Sequence, residues 1–134
     1  MKHSNKQTGN AFERSFCEML FSKGFWVHNF AQNRDGQPAD VIAVRNGIAY
    51  LIDCKVCSGD SFRLGRIEDN QNLAMELWRS AGNGRAWFAV LIEGNIYMIP
   101  HTTLMVLSRV KSSLHKTELD SWGVKLEDWV RSCA

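Results

Sequence analysis

A chain of 134 residues, 45% hydrophobic and 22% charged, has the size and composition of one globular domain. Its apolar content suffices for a core without disulfide support. No stretch approaches the roughly 20 consecutive apolar residues of a membrane span, and the polar opening MKHSNKQTGN lacks a signal peptide's apolar segment, so a cytoplasmic protein with no membrane contact is expected. The net charge is only +2 but unevenly placed: residues 1–66 hold nine Lys/Arg against six Asp/Glu, residues 67–134 seven against eight. That asymmetry is compatible with a polyanionic partner contacting the first half.

In chain order, Asn10 to about Lys23 reads as a helix, because Phe12, Phe16, Met19 and Leu20 share one face and Gly24 stops it. FWVHNF (25–30) follows as a short strand, and AQNRDGQP (31–38) as a polar loop. Two apolar strands joined by Asn46-Gly47 come next. CSGDSFRLGR (57–66) reads as a loop. Glu68 to about Ala81 is helical, with Ala74, Leu77, Trp78 and Ala81 on one stripe. RAWFAVLI (85–92) is the nearly continuous apolar run of a central strand. Gly94-Asn95 turns the chain into IYMI, and Pro100 precedes a short helix through about Val110. The tail holds Leu119, Trp122, Val124, Leu126 and Trp129 without a clear period. With no repeat or linker, the expectation is a single α/β domain over residues 1–134, a mixed central sheet flanked by helices.

Asn-Gly between apolar runs is the strongest short hairpin signal, a two-residue type I′ turn that fixes the register of its strands. Arg45 then faces Ile48, Val44 faces Ala49, and by continuation Asp40 faces Asp53. Directly opposed residues have Cβ atoms about 5 Å apart, where two ionised carboxylates repel. A hard divalent cation would turn that repulsion into coordination. Lys55, two residues beyond Asp53, projects from the same face. The plainer alternative is a solvated face with a chance acid pair and a salt bridge. Glu13 lies on the flank of the first helix's apolar face, where it could equally complete a capping box with Asn10. Gln71 shares a line with Ile67, Ala74 and Trp78, and could be an ordinary surface glutamine.

Cys17, Cys54, Cys57 and Cys133 are expected to be reduced. Cys54 and Cys57 form a C-x-x-C, but a zinc ribbon needs a second close pair and a thioredoxin-type site opens a helix, whereas this motif ends a strand. A cysteine-based metal module is therefore a poor alternative.

Glu13 in an N-terminal helix, PAD ending at Asp40, and DCK from Asp53 to Lys55 together resemble the PD-(D/E)xK nuclease superfamily. TGNAFERSFCEMLFSKGFWV, with Gly9 four residues before Glu13, is similar to the opening of Holliday junction resolvases, and NGIAYLIDCKV to their second motif strand. LGRIEDNQ resembles the region where RecU-type resolvases carry a functional glutamine, here Gln71. The resemblance spans about residues 5–80. Ala39 interrupts the usual Pro-Asp dipeptide, and only Gly24 to Ala39 fills the interval where RecU-type proteins insert a stalk. Compact archaeal-type resolvases also lack it.

The resemblance implies a restriction-endonuclease-like core and a metal-dependent DNA endonuclease, a Holliday junction resolvase of recombination and repair. Asp40, Asp53 and Glu13 would be the metal residues, for Mg²⁺ with Mn²⁺ able to substitute. Lys55 and Gln71 would complete the catalytic set. Lys2, Lys6, Arg14, Arg34, Arg63 and Arg66 are candidates for phosphate contacts. The substrate would be branched DNA. A homodimer would supply two symmetric cuts, with Trp122 and Trp129 as interface material. The alternatives are a catalytically silent DNA- or protein-binding domain on the same fold, and a restriction-like or virus-type nuclease of other structure specificity.

Overall fold

The computed structural model describes residues 5–30 and 39–133, with only the backbone for residues 5–7. Helix α1 (Asn5–Ser22) leads into strand β1 (Trp26–Asn29), then β2 (Val41–Arg45) and the long β3 (Ile48–Cys57). The hairpin between β2 and β3 has the register that the Asn-Gly dipeptide dictates, from Arg45↔Ile48 to Val41↔Ile52. Asn46 (φ 54°) and Gly47 (φ 78°) both sit in the left-handed region that a type I′ turn requires.

Strand β4 (Ser61–Arg63) and a single 3₁₀ turn (Leu64–Arg66) occupy the stretch expected to be a loop. The partner of β4 is β7 (Ser113–His115), about fifty residues away, so no local pattern announces the pairing. Helix α2 (Asp69–Ser80) buries Gln71 and Met75 rather than Leu77, which is 59% exposed. β5 (Trp87–Ile92) runs parallel to β3, as its continuous apolar sequence implies. The next turn is centred on Glu93 (φ 48°) and Gly94 (φ 79°), one residue earlier than expected, because Ile92 pairs with Asn95 at the start of β6 (Asn95–Pro100).

After α3 (His101–Leu107), the tail forms α4 (Lys116–Trp122), β8 (Val124–Lys125) and α5 (Leu126–Ser132). These elements are too short to display a period. The main sheet has the order β1-β2-β3-β5-β6-β8 and is mixed. It is covered on both faces. One core gathers Leu51, Phe62, Met75, Phe88, Val90, Ile99 and Leu114 with α2 and α3. The other packs Phe12, Phe16 and Leu20 of α1 and Trp129 of α5 against Val41, Ala43, Ile52 and Ala89. Each fully buried Phe or Leu contributes about 1.5–3 kcal/mol.

Trp129 belongs to this second core and not to an interface. It is 1% exposed, stacks on Phe25 at 5.7 Å and meets Tyr50 and Trp87 edge-on. Trp122 remains 54% exposed. Among the described residues no helix is long and apolar enough to cross a membrane.

Candidate active site

Side chains along β3 alternate between the two cores. Ile52, Cys54 and Val56 face α1, while Leu51, Asp53, Lys55 and Cys57 face α2. The alternation places Cys54 and Cys57 in different cores, and all four cysteines are free of disulfides.

Asp40 stands one residue before β2, just past the last ladder pair. Its N–H donates to the Ile52 carbonyl at 3.2 Å, and its own carbonyl accepts from Phe30 N–H at 2.8 Å. Clamped between β1 and β3, it turns Oδ2 toward the Cys54 N–H, which donates at 2.8 Å. That backbone donor carries no sequence signal, since any non-proline residue would provide it. Asp53 is 1% exposed. Lys55 Nζ lies 3.1 Å from Asp53 Oδ2 but off the line of a hydrogen bond, leaving Oδ2 buried with no hydrogen-bond partner.

Gln71 ties these groups to α2. Its Nε2 donates to Asp53 Oδ1 at 3.3 Å. Its Oε1 accepts from Lys55 Nζ at 3.2 Å and from Glu68 N–H at 3.1 Å. Gln71 is therefore not a surface residue, despite its position in an otherwise polar first turn.

Glu13 is also buried. Because α1 begins at Asn5, Asn10 lies mid-helix and no capping box forms there. Burial pushes the Glu13 carboxyl up to about 7, with further upward contributions from the Asp40 charge and a hydrogen bond to Asp40, opposed by Lys55. Asp53 is also held well above the usual carboxylate range, first by burial and then by Asp40, with Lys55 opposing. The Asp40 charge thus bears on both of the other carboxyls.

Among the described residues, no three His, Cys, Asp or Glu side chains are gathered closely enough to hold a metal ion alone. A hard cation does not need three: Mg²⁺ commonly takes one or two carboxylates and completes its shell with water and phosphate. The buried Asp53 Oδ2, which has an ion pair with Lys55 but no hydrogen bond, and the Asp40 charge that raises Asp53 are the donor chemistry that such a cation satisfies, so the residues present fit it.

Lys55 lines a cleft of about 630 Å³, together with Thr8, Gly9, Cys54, Val56, Cys57, Ser58 and Arg66. Arg66 is held in place: it donates to the Val56 carbonyl at 2.7 Å and lies 6.0 Å over the Phe62 ring. Thr8 and Ser58 were not singled out in the sequence, where lone hydroxyls give no signal. Arg14 and Arg63 are exposed on α1 and β4. Lys2 and Arg34 lie outside the described residues, as does the side chain of Lys6.

A mixed sheet with helices on both faces, carrying a buried aspartate and a lysine on its central hairpin, has the architecture of the restriction-endonuclease-like nucleases. Solved structures share the fold. Hjc, a Holliday junction resolvase from the archaeal hyperthermophile Archaeoglobus fulgidus, superimposes with a TM-score of 0.69 at 19% identity, over 92% of this chain and 96% of that one. The bacterial homing endonuclease I-Ssp6803I superimposes with a TM-score of 0.61 at 15% identity, over 98% and 93%. The family model for archaeal Holliday junction resolvase (Hjc) matches residues 4–134, and the chain belongs to that family. Of the two resolvase types its motifs resemble, it is the compact archaeal one. It is an endonuclease of the Holliday junction resolvase kind, a DNA-binding enzyme of a divalent-metal-dependent class.

Proposed function

We propose that this protein cuts branched DNA, four-way junctions above all, through one nuclease domain spanning residues 1–134, with Glu13, Asp40, Asp53, Lys55 and Gln71 as its catalytic set. The observation that carries this reading is the buried Asp53 carboxylate, whose Oδ2 has the Lys55 ammonium at 3.1 Å and no hydrogen bond, while Gln71 holds both Asp53 and Lys55.

Asp40 and Asp53 would hold the cation, and Glu13 would hold one of its waters or a second ion. The ion is Mg²⁺, with Mn²⁺ able to substitute. When bound, it supplies charge neutralisation at the scissile phosphate and a more acidic water. Lys55 Nζ orients the attacking water and offsets the charge that develops on the phosphoryl oxygens. Gln71 fixes the direction of Lys55 and of Asp53 Oδ1. Arg14, Arg63 and Arg66, with Lys2, Lys6 and Arg34, contact DNA phosphates, which position the duplex without reading its sequence.

Resolving a four-way junction takes two symmetric cuts and the chain carries one site, so the working form is a C₂ homodimer. Its setting is the cytoplasm. Cleavage of a synthetic four-way junction and of a linear duplex of the same sequence, each with Mg²⁺ and with EDTA, tests the reading. Junction-selective, Mg²⁺-dependent cutting is expected. Equal cutting of both would leave a nuclease of other specificity, and no cutting would leave a silent binding domain.

A further inference from the structure

The outer strand β1 carries an aromatic row that no core uses. Trp26 is 62% exposed, His28 is exposed, and Phe30 is half-buried. The rings stand in sequence on one face: Trp26 and His28 lie 6.3 Å apart with planes within 14°, and His28 meets Phe30 edge-on at 5.1 Å. Alternate residues of the strand behave differently, since Val27 packs into the core beneath α1. Exposed aromatics on a strand are ordinarily a liability, because they cost solubility and invite aggregation.

Register shows where the row leads. His28 pairs with Ile42, and Ile42 with Leu51, so the three share the face that bears Asp53 and Lys55. One step along, Phe30 N–H is bonded to the Asp40 carbonyl, and Asp40 stands beside Asp53. The aromatic row therefore runs into the carboxylates, one strand spacing of about 4.8 Å away from Asp40.

We infer that Trp26, His28 and Phe30 form a stacking platform for unpaired bases of the DNA substrate, next to the bond that is cut. The inference rests on the resolvase reading and adds to it a source of structure selectivity. Aromatic faces accept any base but only one whose face is free, and a continuous duplex offers none away from its ends. At a branch point, pairing is most easily broken, so the platform favours branched over linear DNA without sequence readout.

The test compares affinities in EDTA, so that no strand is cut, for a four-way junction with two unpaired thymines at its branch and for a linear duplex. The Trp26→Ala/His28→Ala double variant is expected to lose about tenfold or more on the junction, in line with about 1–3 kcal/mol per stacked base, and nothing on the duplex. A Trp26→Phe/His28→Phe variant should retain most of the junction affinity, because it keeps the rings. An unchanged junction affinity, or an equal loss on both DNAs, overturns the inference. So does a shift from dimer to monomer by light scattering in the Ala variant, since the row would then be a subunit contact. Wild-type cleavage of a fully paired junction in Mg²⁺ is measured alongside, and its absence would sink the resolvase reading without deciding the stacking comparison.

Discussion

Gln71 donates from Nε2 to Asp53 Oδ1 at 3.3 Å across the gap between helix α2 and strand β3. The contact fixes which carboxylate oxygen is engaged, leaving Oδ2 without a hydrogen bond. It also spends Gln71 Oε1 on Lys55 Nζ, so one amide orients both Asp53 and Lys55. Gln71→Ala should lower kcat on a four-way junction by about tenfold or more, the equivalent of one to two hydrogen bonds. DNA affinity should hardly change. A matching loss of affinity with normal kcat would make Gln71 a DNA contact instead.

Asp53→Asn keeps the shape of the side chain and its contact from Gln71 but removes the charge. Cleavage should fall below detection, while the melting temperature of the metal-free protein should hold or rise. The rise follows because the native site holds the Asp53 carboxyl well above its usual range, which means the charged form is disfavoured there. Near-normal Mg²⁺-dependent activity in this variant would show that the cation is held elsewhere.

Lys55→Ala should depress turnover far more than binding, since one ammonium among several basic groups adds little to DNA affinity. Filter binding and single-turnover cleavage at saturating enzyme separate the two effects. Normal cleavage with weakened binding would reduce Lys55 to a phosphate contact.

Stability of the metal-free protein should fall as pH rises. Glu13 moves from 4.5 to about 7 in the fold, and Asp53 is raised from 3.8. A raised acid binds more protons folded than unfolded, so the slope of stability with pH is negative between the unfolded and folded values. For Glu13 the loss runs from about pH 4.5 to about pH 7 and then levels. Urea midpoints in EDTA at pH 5 and pH 8 should show the drop, and Mg²⁺ should reverse it at pH 8 by binding the ionised acids. A midpoint that climbs from pH 5 to pH 8 in EDTA would contradict the arrangement of the carboxyls.

Gly123 closes the tail onto the sheet. A Cβ there would stand 2.9 Å from the Met98 carbonyl oxygen and 3.0 Å from that of Leu119, both backbone atoms that cannot swing aside. Gly123→Ala should therefore cost about 1–3 kcal/mol by overpacking. Its effect should appear in thermal melting and not in the kcat of the folded protein. An unchanged melting temperature would mean that β8 is free to shift.

Local chemistry determined much of the β2–β3 hairpin. Asn46-Gly47 has the two residues that most readily take φ above zero in succession, so the turn and its register as far as Val41↔Ile52 follow from the dipeptide; at Asp40 the ladder slips, its N–H bonding the Ile52 carbonyl, so the direct facing of Asp40 and Asp53 expected from that register is not part of the ladder. Two-residue periodicity then places Lys55 on the face of Asp53. The continuous apolar run of β5 likewise declares a strand covered on both faces.

Tertiary structure decided what depends on partners distant in the chain. Gln71 looks like any first-turn glutamine until α2 settles over β3 and buries it against Asp53 and Lys55. Glu13 fits a capping box on paper, and only the earlier start of α1 and its packing turn it inward toward Asp40. β4 is three residues long and exists because β7 lies beside it. Trp129 and Trp122 read alike in sequence, yet one fills the core beneath the sheet and the other faces solvent. In each case the deciding energy is burial or a hydrogen bond between segments far apart in the chain, and such contacts leave no trace in the spacing of neighbouring residues.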